Sequence, residues 1–498
     1  MANIAVIGAG FSGLSAASYL AAAGHQVQVY EKNATAGGRA RQYKTDNGYS
    51  FDMGPSWYWM PDIFENFFND FGHTVSDFYV LKLLEPSFEI VYDNQELMSI
   101  PENYQALRVL FESIEPGSSI QLDKFMEEAE EKYNLGMKTF SNLPGLSLAE
   151  FADIGLVHRA LRMNLFSSFS THVRKYFTHP KLIALMEFPV LFLGATPRDT
   201  PALYSLMNYA GLKLGTWYPV GGFGQVIRSI QELASRNGVE FFFSSPVEKI
   251  LIENNHATGI MVNGMQLSFD AVLASADYQY VEEELLPKSA ANYREAYWQK
   301  KTFAPSCLIY FLGVSKKIPK LNHHTLFFDG DLLQHAKEIY KSPQWPTKPL
   351  FYVCCTSRTD NGVAPAGHEN LFLLMPIAPG LSDSETLRET YFEIMMKRIE
   401  EYAGMGIRQH LDFKKSYSIS DFKEDYHSYK GNAYGLANTL FQTAIWKPKI
   451  KNKKIKNLFY AGQLTVPGPG VPPSLISGKI SATQLIKHLN IPKREAAI

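Results

Sequence analysis

Residues 3–31 read NIAVIGAGFSGLSAASYLAAAGHQVQVYE. An apolar run from Asn3 to Ile7 leads into a glycine turn, an alanine-rich stretch and a second apolar run ending at Glu31. That order predicts a strand, a turn, a helix and a strand, the βαβ unit. Gly8 permits the tight turn, Gly10 lets the backbone approach a pyrophosphate, and Gly13 allows the helix to pack closely on the strand. The free amides at the helix N-terminus receive phosphate charge. Glu31 stands where a carboxylate can accept hydrogen bonds from a ribose. A lone GxGxxG marks many ordinary turns. Placed between a strand and a helix, and followed by an acidic residue ending the next strand, it specifies a dinucleotide site.

The same fingerprint serves NAD and FAD, and the segment that separates them lies just downstream. Gly37, Gly38 and Arg39 follow Glu31 as E-x5-GGR. This arrangement resembles the start of the FAD site in the flavin amine oxidase superfamily, which also contains carotenoid desaturases. The resemblance implies FAD as cofactor and places Gly38 and Arg39 near the flavin phosphates, with Arg41 a weaker candidate of the same kind. It also implies that the backbone at Val247 pairs with the adenine edge.

Composition sets the outer limits. With 498 residues, more than one core is expected. Hydrophobic residues make 46% and charged residues 19%, as in an ordered globular chain. The 48 basic and 49 acidic residues balance, so no global field draws nucleic acid, and none is expected as a partner. Cys307, Cys354 and Cys355 form no CxxC pair and no metal-ligand spacing, so no metal is expected. Cys354 and Cys355 read as part of a buried strand from Leu350 to Cys355. The first strand begins almost at once, with no basic and apolar leader before it, so no secretion signal is expected. The oily stretch from Ile183 to Ala195 is broken by Glu187 and Pro189 and is too short to span a bilayer.

From Asn103 to about Leu212 helical patterns dominate. The part around Arg159, Arg162, His172, Arg174 and Lys175, interleaved with Leu165, Phe166, Phe169, Val173 and Phe177, has a composition suited to a membrane-interface helix, although composition alone favours an amphipathic helix facing the core. Strands are expected at Val239 to Phe243, Val247 to Ile252, Ala271 to Asp277 and Ser306 to Gly313, and a helix at Ser384 to Ala403. The basic run Lys447 to Lys456 reads as a solvated loop or helix face, with binding of an anionic headgroup as the sharper alternative. His323, His324 and His427 read as structural.

The tail NLFYAGQLTVPGPGVPPSLISGKISATQLIKHL, residues 457–489, reads as a strand, a rigid glycine- and proline-rich loop and a final helix. Its Asn457, Phe459, Tyr460, Gly462, Pro467, Gly468, Gly470 and Val471 resemble the closing signature of the bacterial-type phytoene desaturases, the carotenoid desaturase branch of the superfamily. DMGPSWY at 52–58, the segment 192–222 and YKGNAYGLANTLFQTA at 429–444 extend the similarity nearly end to end. Gln463, Leu464 and Val466 depart from small and polar residues common in that family.

The resemblance implies an α/β fold: a Rossmann-like FAD-binding domain built from 1–80, 215–285 and 441–498, an interleaved α+β substrate domain from 81–102 and 286–440, and an inserted helical, membrane-associating subdomain from 103–214. Gly462 and Val471 would belong to the flavin cradle. The implied reaction is FAD-dependent desaturation of a C40 carotenoid, phytoene to lycopene by hydride transfer to flavin, with oxygen or a quinone as acceptor. A later or hydroxylated carotenoid, or an isomerisation, is the alternative. No residue is singled out as the catalytic acid or base. The implied location is cytoplasmic, on the inner membrane surface.

Overall fold

The computed structural model describes residues 1–147, 150 and 167–490. Its parallel sheet has the strand order Leu458–Tyr460, Ala271–Ala274, Asn3–Ile7, Gln26–Tyr30 and Glu240–Phe242. The chain leaves the central strand Asn3–Ile7 towards one edge and later returns to fill the other. The resulting switch point lies beyond Ile7 and Ala274, where open α/β sheets bind ligands. The strand expected over Ala271 to Asp277 ends at Ala274, because Ser275 to Asp277 turn across the glycine loop. Asp277 there caps the next helical turn, its Oδ1 accepting from the amide of Gln279.

Small residues let the layers close. The helix Phe11–Ala22 packs on the sheet and on the C-terminal helix Val471–Leu489. A β-carbon on Gly13 would sit 2.0 Å from the carbonyl oxygen of Gly8, and one on Gly478 would sit 2.4 Å from that of Ser12. Neither distance is tolerable, so glycine is required at both crossings.

A second sheet of seven strands runs in the order Leu411–Tyr417, Ser306–Val314, Glu369–Ile377, Phe351–Cys354, His324–Phe327, Phe88–Val91 and Leu97–Ile100. Ser306–Val314 is buried on both faces. Leu308, Tyr310 and Leu312 pack with Met395 and Ile399 of the helix Glu385–Ala403, whereas Cys307, Ile309 and Phe311 face a core shared with Phe125 and Phe188. The period-two alternation therefore divides one apolar strand between two cores.

The helix Ser118–Lys138 anchors the helical part. Phe169, Val173 and Phe177 are buried against it, with Phe177 edge-on to Phe111. In that described portion the apolar side chains face protein. Arg159, Arg162, Leu165 and Phe166 lie outside the described residues. The basic run needs correction as a solvated segment: Lys447 is only 2% exposed, and the Lys449 ammonium donates to the carbonyls of Gly145 and Ile445. Among the described residues no helix is long and apolar enough to cross a membrane.

Candidate functional site

One cavity of about 930 Å³ runs from the switch point into the space between the two sheets and the helical part. That is near the top of the roughly 300–1,000 Å³ range of ligand pockets. Gly8, Gly10, Glu31, Gly38, Arg39, Val247, Gly462 and Val471 all line it, while Gly13 stands behind, at the helix crossing.

At the glycine-rich end the backbone is laid open. Gly8 has φ +97° and Gly38 has φ +54°. A β-carbon on Gly10 would meet nothing nearer than the Cα of Gly38 at 4.0 Å, so the space above this turn is free for a ligand. The Glu31 carboxylate accepts from the amide of Ala9 at 2.9 Å and, through its other oxygen, from the amide and side chain of Asn33. Glu31 thus pins the glycine turn to the second strand and keeps limited acceptor capacity for a ribose. Arg39 donates to the Ser428 hydroxyl at 3.1 Å and lies 5.1 Å from the ring centre of Tyr426, yet its Nε is buried without a partner. Arg41 is spent on an ion pair with Asp425 at 2.6 Å. Val247 opens an antiparallel strand paired to Val262 and faces the cavity beside Pro246.

Two helices point their N-termini into this space. Phe11–Ala22 starts after Gly10, Val471–Leu489 starts after Gly470, and neither has a side-chain cap. The positive dipole end favours anionic groups at both, but free amides belong mainly to the first, because Pro472 and Pro473 carry no N–H and the Ser474 amide donates to the Gly470 carbonyl. The loop before the second helix turns on Gly462, φ +120°, whose amide donates to Ser477 Oγ at 3.0 Å.

Three polar groups in this region carry no signal in the sequence. Lys447 is buried with its Nζ unpartnered, and burial pushes its ammonium down to about 7. Asn438, which lines the cavity, has an unpartnered Oδ1. Asp277 keeps one buried oxygen without a donor, and burial raises its carboxyl to about 6 against the opposing field of Arg39. In the sequence Lys447 is one lysine of a basic run, and nothing in that run distinguishes it. His427 stacks on Tyr280 at 3.9 Å between ring centres at the cavity wall.

The far end is different. Trp57, Trp59, Phe140, Phe188, Tyr204 and Met137 form its walls. The charged lining residues Glu31, Lys32, Arg39, Asp277 and Asp425 all belong to the glycine-rich end. Phe441 and Trp446, 75% and 55% exposed, line the cavity where it meets solvent. The arrangement suits a polar, anionic dinucleotide beside a long apolar substrate, and among the described residues it offers a cationic amine no counter-charge at the aromatic end.

The family model for flavin containing amine oxidoreductase matches residues 11–486. The chain is 38% identical to the carotenoid 3,4-desaturase of Haloarcula japonica, over 98% of each chain. It is 30% identical to a 4,4'-diapophytoene desaturase of Staphylococcus haemolyticus, covering 98% and 99%, and 28% identical to the zeta-carotene-forming phytoene desaturase of Myxococcus xanthus, covering 97% and 94%. Among solved structures, an oxidoreductase from Methanosarcina mazei superposes with TM-score 0.62 at 17% identity over 97% of this chain and all of the other, and putrescine oxidase bound to putrescine with 0.61 at 14% over 98% and 99%. These two likenesses establish the fold.

Proposed function

The chain belongs to the flavin containing amine oxidoreductase family, on its carotenoid desaturase branch, and from that premise we propose that it converts phytoene through successive desaturations to lycopene. FAD is the cofactor and a carotenoid the substrate class. The observation that carries the reading is one continuous cavity, which joins two uncapped helix N-termini and a glycine turn to an aromatic chamber that is uncharged among the described residues.

FAD, when bound, supplies an acceptor for the hydride that desaturation removes. The residues around it do the rest. The turn at Gly8 and Gly10 and the N-terminus of Phe11–Ala22 would hold the pyrophosphate, with Glu31 on the ribose, Val247 beside the adenine, and Gly38 and Arg39 at the phosphates. Gly462 and Val471 would seat the flavin ring. The buried orphan atoms of Arg39 and Asp277, and the room above Gly10, suit a polar ligand. Trp57, Trp59 and Phe188 would exclude water and align a polyene.

A substrate dissolved in lipid has to enter from a bilayer. Phe441 and Trp446 supply an apolar rim at the mouth, consistent with a cytoplasmic enzyme resting on the inner membrane, with oxygen or a membrane quinone reoxidising it. A second reading, desaturation of a later carotenoid, is favoured by the 38% identity to a 3,4-desaturase. Expression in a colourless bacterium that makes phytoene decides between them. Lycopene-like pigment supports the first reading. Untouched phytoene, with conversion of supplied lycopene, supports the second.

A further inference from the structure

Behind the Trp57 and Tyr352 wall, two histidines and a cysteine converge. His324 opens a strand whose register sets it opposite Cys354, and His323 precedes it. One ligand atom from each of His323, His324 and Cys354 lies within 4.8 Å of the others, and all three residues are at most 5% exposed. In sequence the cysteine lies thirty residues from the histidines, so no ligand spacing is visible; the strand register creates the cluster.

We propose that His323, His324 and Cys354 bind a cation of the zinc class. Thiolate and imidazole are the ligand types that borderline-soft d10 cations select. Hydrogen-bond partners already hold both imidazole rings. His323 Nδ1 contacts Thr359 Oγ1 at 2.7 Å, and His324 Nδ1 contacts the Tyr352 hydroxyl at 2.5 Å. Because that hydroxyl donates onward to Ser56, it accepts from His324. A bond in which Nδ1 donates, as in His324, leaves the other ring nitrogen as a lone pair for metal, and the Thr359 hydroxyl can accept from His323 in the same way. In both residues Nε2 is buried and has no partner.

Charge favours the same occupant. The field of Asp360 reaches His323 and that of Asp52 reaches Cys354, both carboxylates being buried or half-buried, and Arg228 is the cation acting on Asp52. Trp57 stacks on His324 at 4.2 Å and holds its ring plane. Tetrahedral zinc sets its ligands about 3.3–3.6 Å apart. Closing the cluster therefore takes a movement of roughly 1 Å, and the Cys354 thiol releases its proton to solvent as the metal binds.

The test uses the full FAD-loaded chain. After equilibration with Zn2+ and desalting, about one zinc per chain is expected. With Co2+ in its place, a thiolate-to-cobalt charge-transfer band is expected in the difference spectrum against metal-free holoprotein. C354S, with flavin content unchanged, loses that band, and H323Q weakens binding at least tenfold. Zinc no higher than in a buffer control, with no cobalt band in the parent chain, overturns the proposal whatever the variants do. So does a band that persists in C354S.

Discussion

Lys447 Nζ and Asn438 Oδ1 flank the same glycine: each lies 3.2 Å from where a β-carbon on Gly468 would stand, and each is buried without a hydrogen-bond partner. A lysine held this way sheds its proton more readily than in water. Between about 7 and its ordinary value of 10.5, the unfolded chain carries a proton on Lys447 that the folded chain lacks. Stability therefore rises with pH across that window. K447M should flatten the rise and match or exceed the parent's thermal midpoint at pH 7, measured by melting at a series of pH values.

Asp277 gives the opposite slope. Its folded value, about 6, lies above the ordinary 3.8, so the folded chain holds the extra proton between those values and stability falls as pH rises through 6. D277N removes this loss. The variant should gain stability over the parent at pH 8 and gain little at pH 4, and a difference independent of pH would contradict the assignment.

Gly10 and Gly13 should fail in different ways. G13A forces a β-carbon against the carbonyl of Gly8, and overpacking of this kind destabilises by about 1–3 kcal/mol. G10A meets no protein atom within contact and should fold with a thermal midpoint near the parent's. It would, however, intrude on the pyrophosphate, so flavin content after gel filtration should drop at least tenfold. Retained flavin in G10A would move the phosphates elsewhere.

Phe441 and Trp446 separate membrane docking from catalysis. F441S/W446S should keep the parent's flavin content, lose association with anionic vesicles and convert vesicle-borne phytoene about tenfold more slowly. Unchanged vesicle binding would assign docking to another surface.

The nucleotide half of the fold was legible because its requirements are local. A turn at Gly8, a crossing at Gly13 and a carboxylate at Glu31 each need one residue type at one spacing, and the structure places them at the switch point. The C-terminal loop was legible for the same reason, its glycines standing at φ +120° for Gly462 and +137° for Gly468. What escaped depends on pairings distant in sequence. Lys447 loses its solvent only when the loop around Gly468 and the segment at Asn438 close over it. His324 meets Cys354 only through strand register. Neither the hydrophobic period nor a motif encodes such meetings.

The central claim is that bound FAD takes hydrogen from a carotenoid held in the aromatic chamber. The most direct measurement is anaerobic: the yellow holoprotein is mixed with phytoene in vesicles, and the flavin spectrum is followed while the pigment is extracted and quantified. Bleaching of the flavin with one new double bond per flavin reduced is the predicted result. A flavin that stays oxidised with phytoene and with lycopene, but is bleached by a soluble amine such as putrescine, would contradict the account.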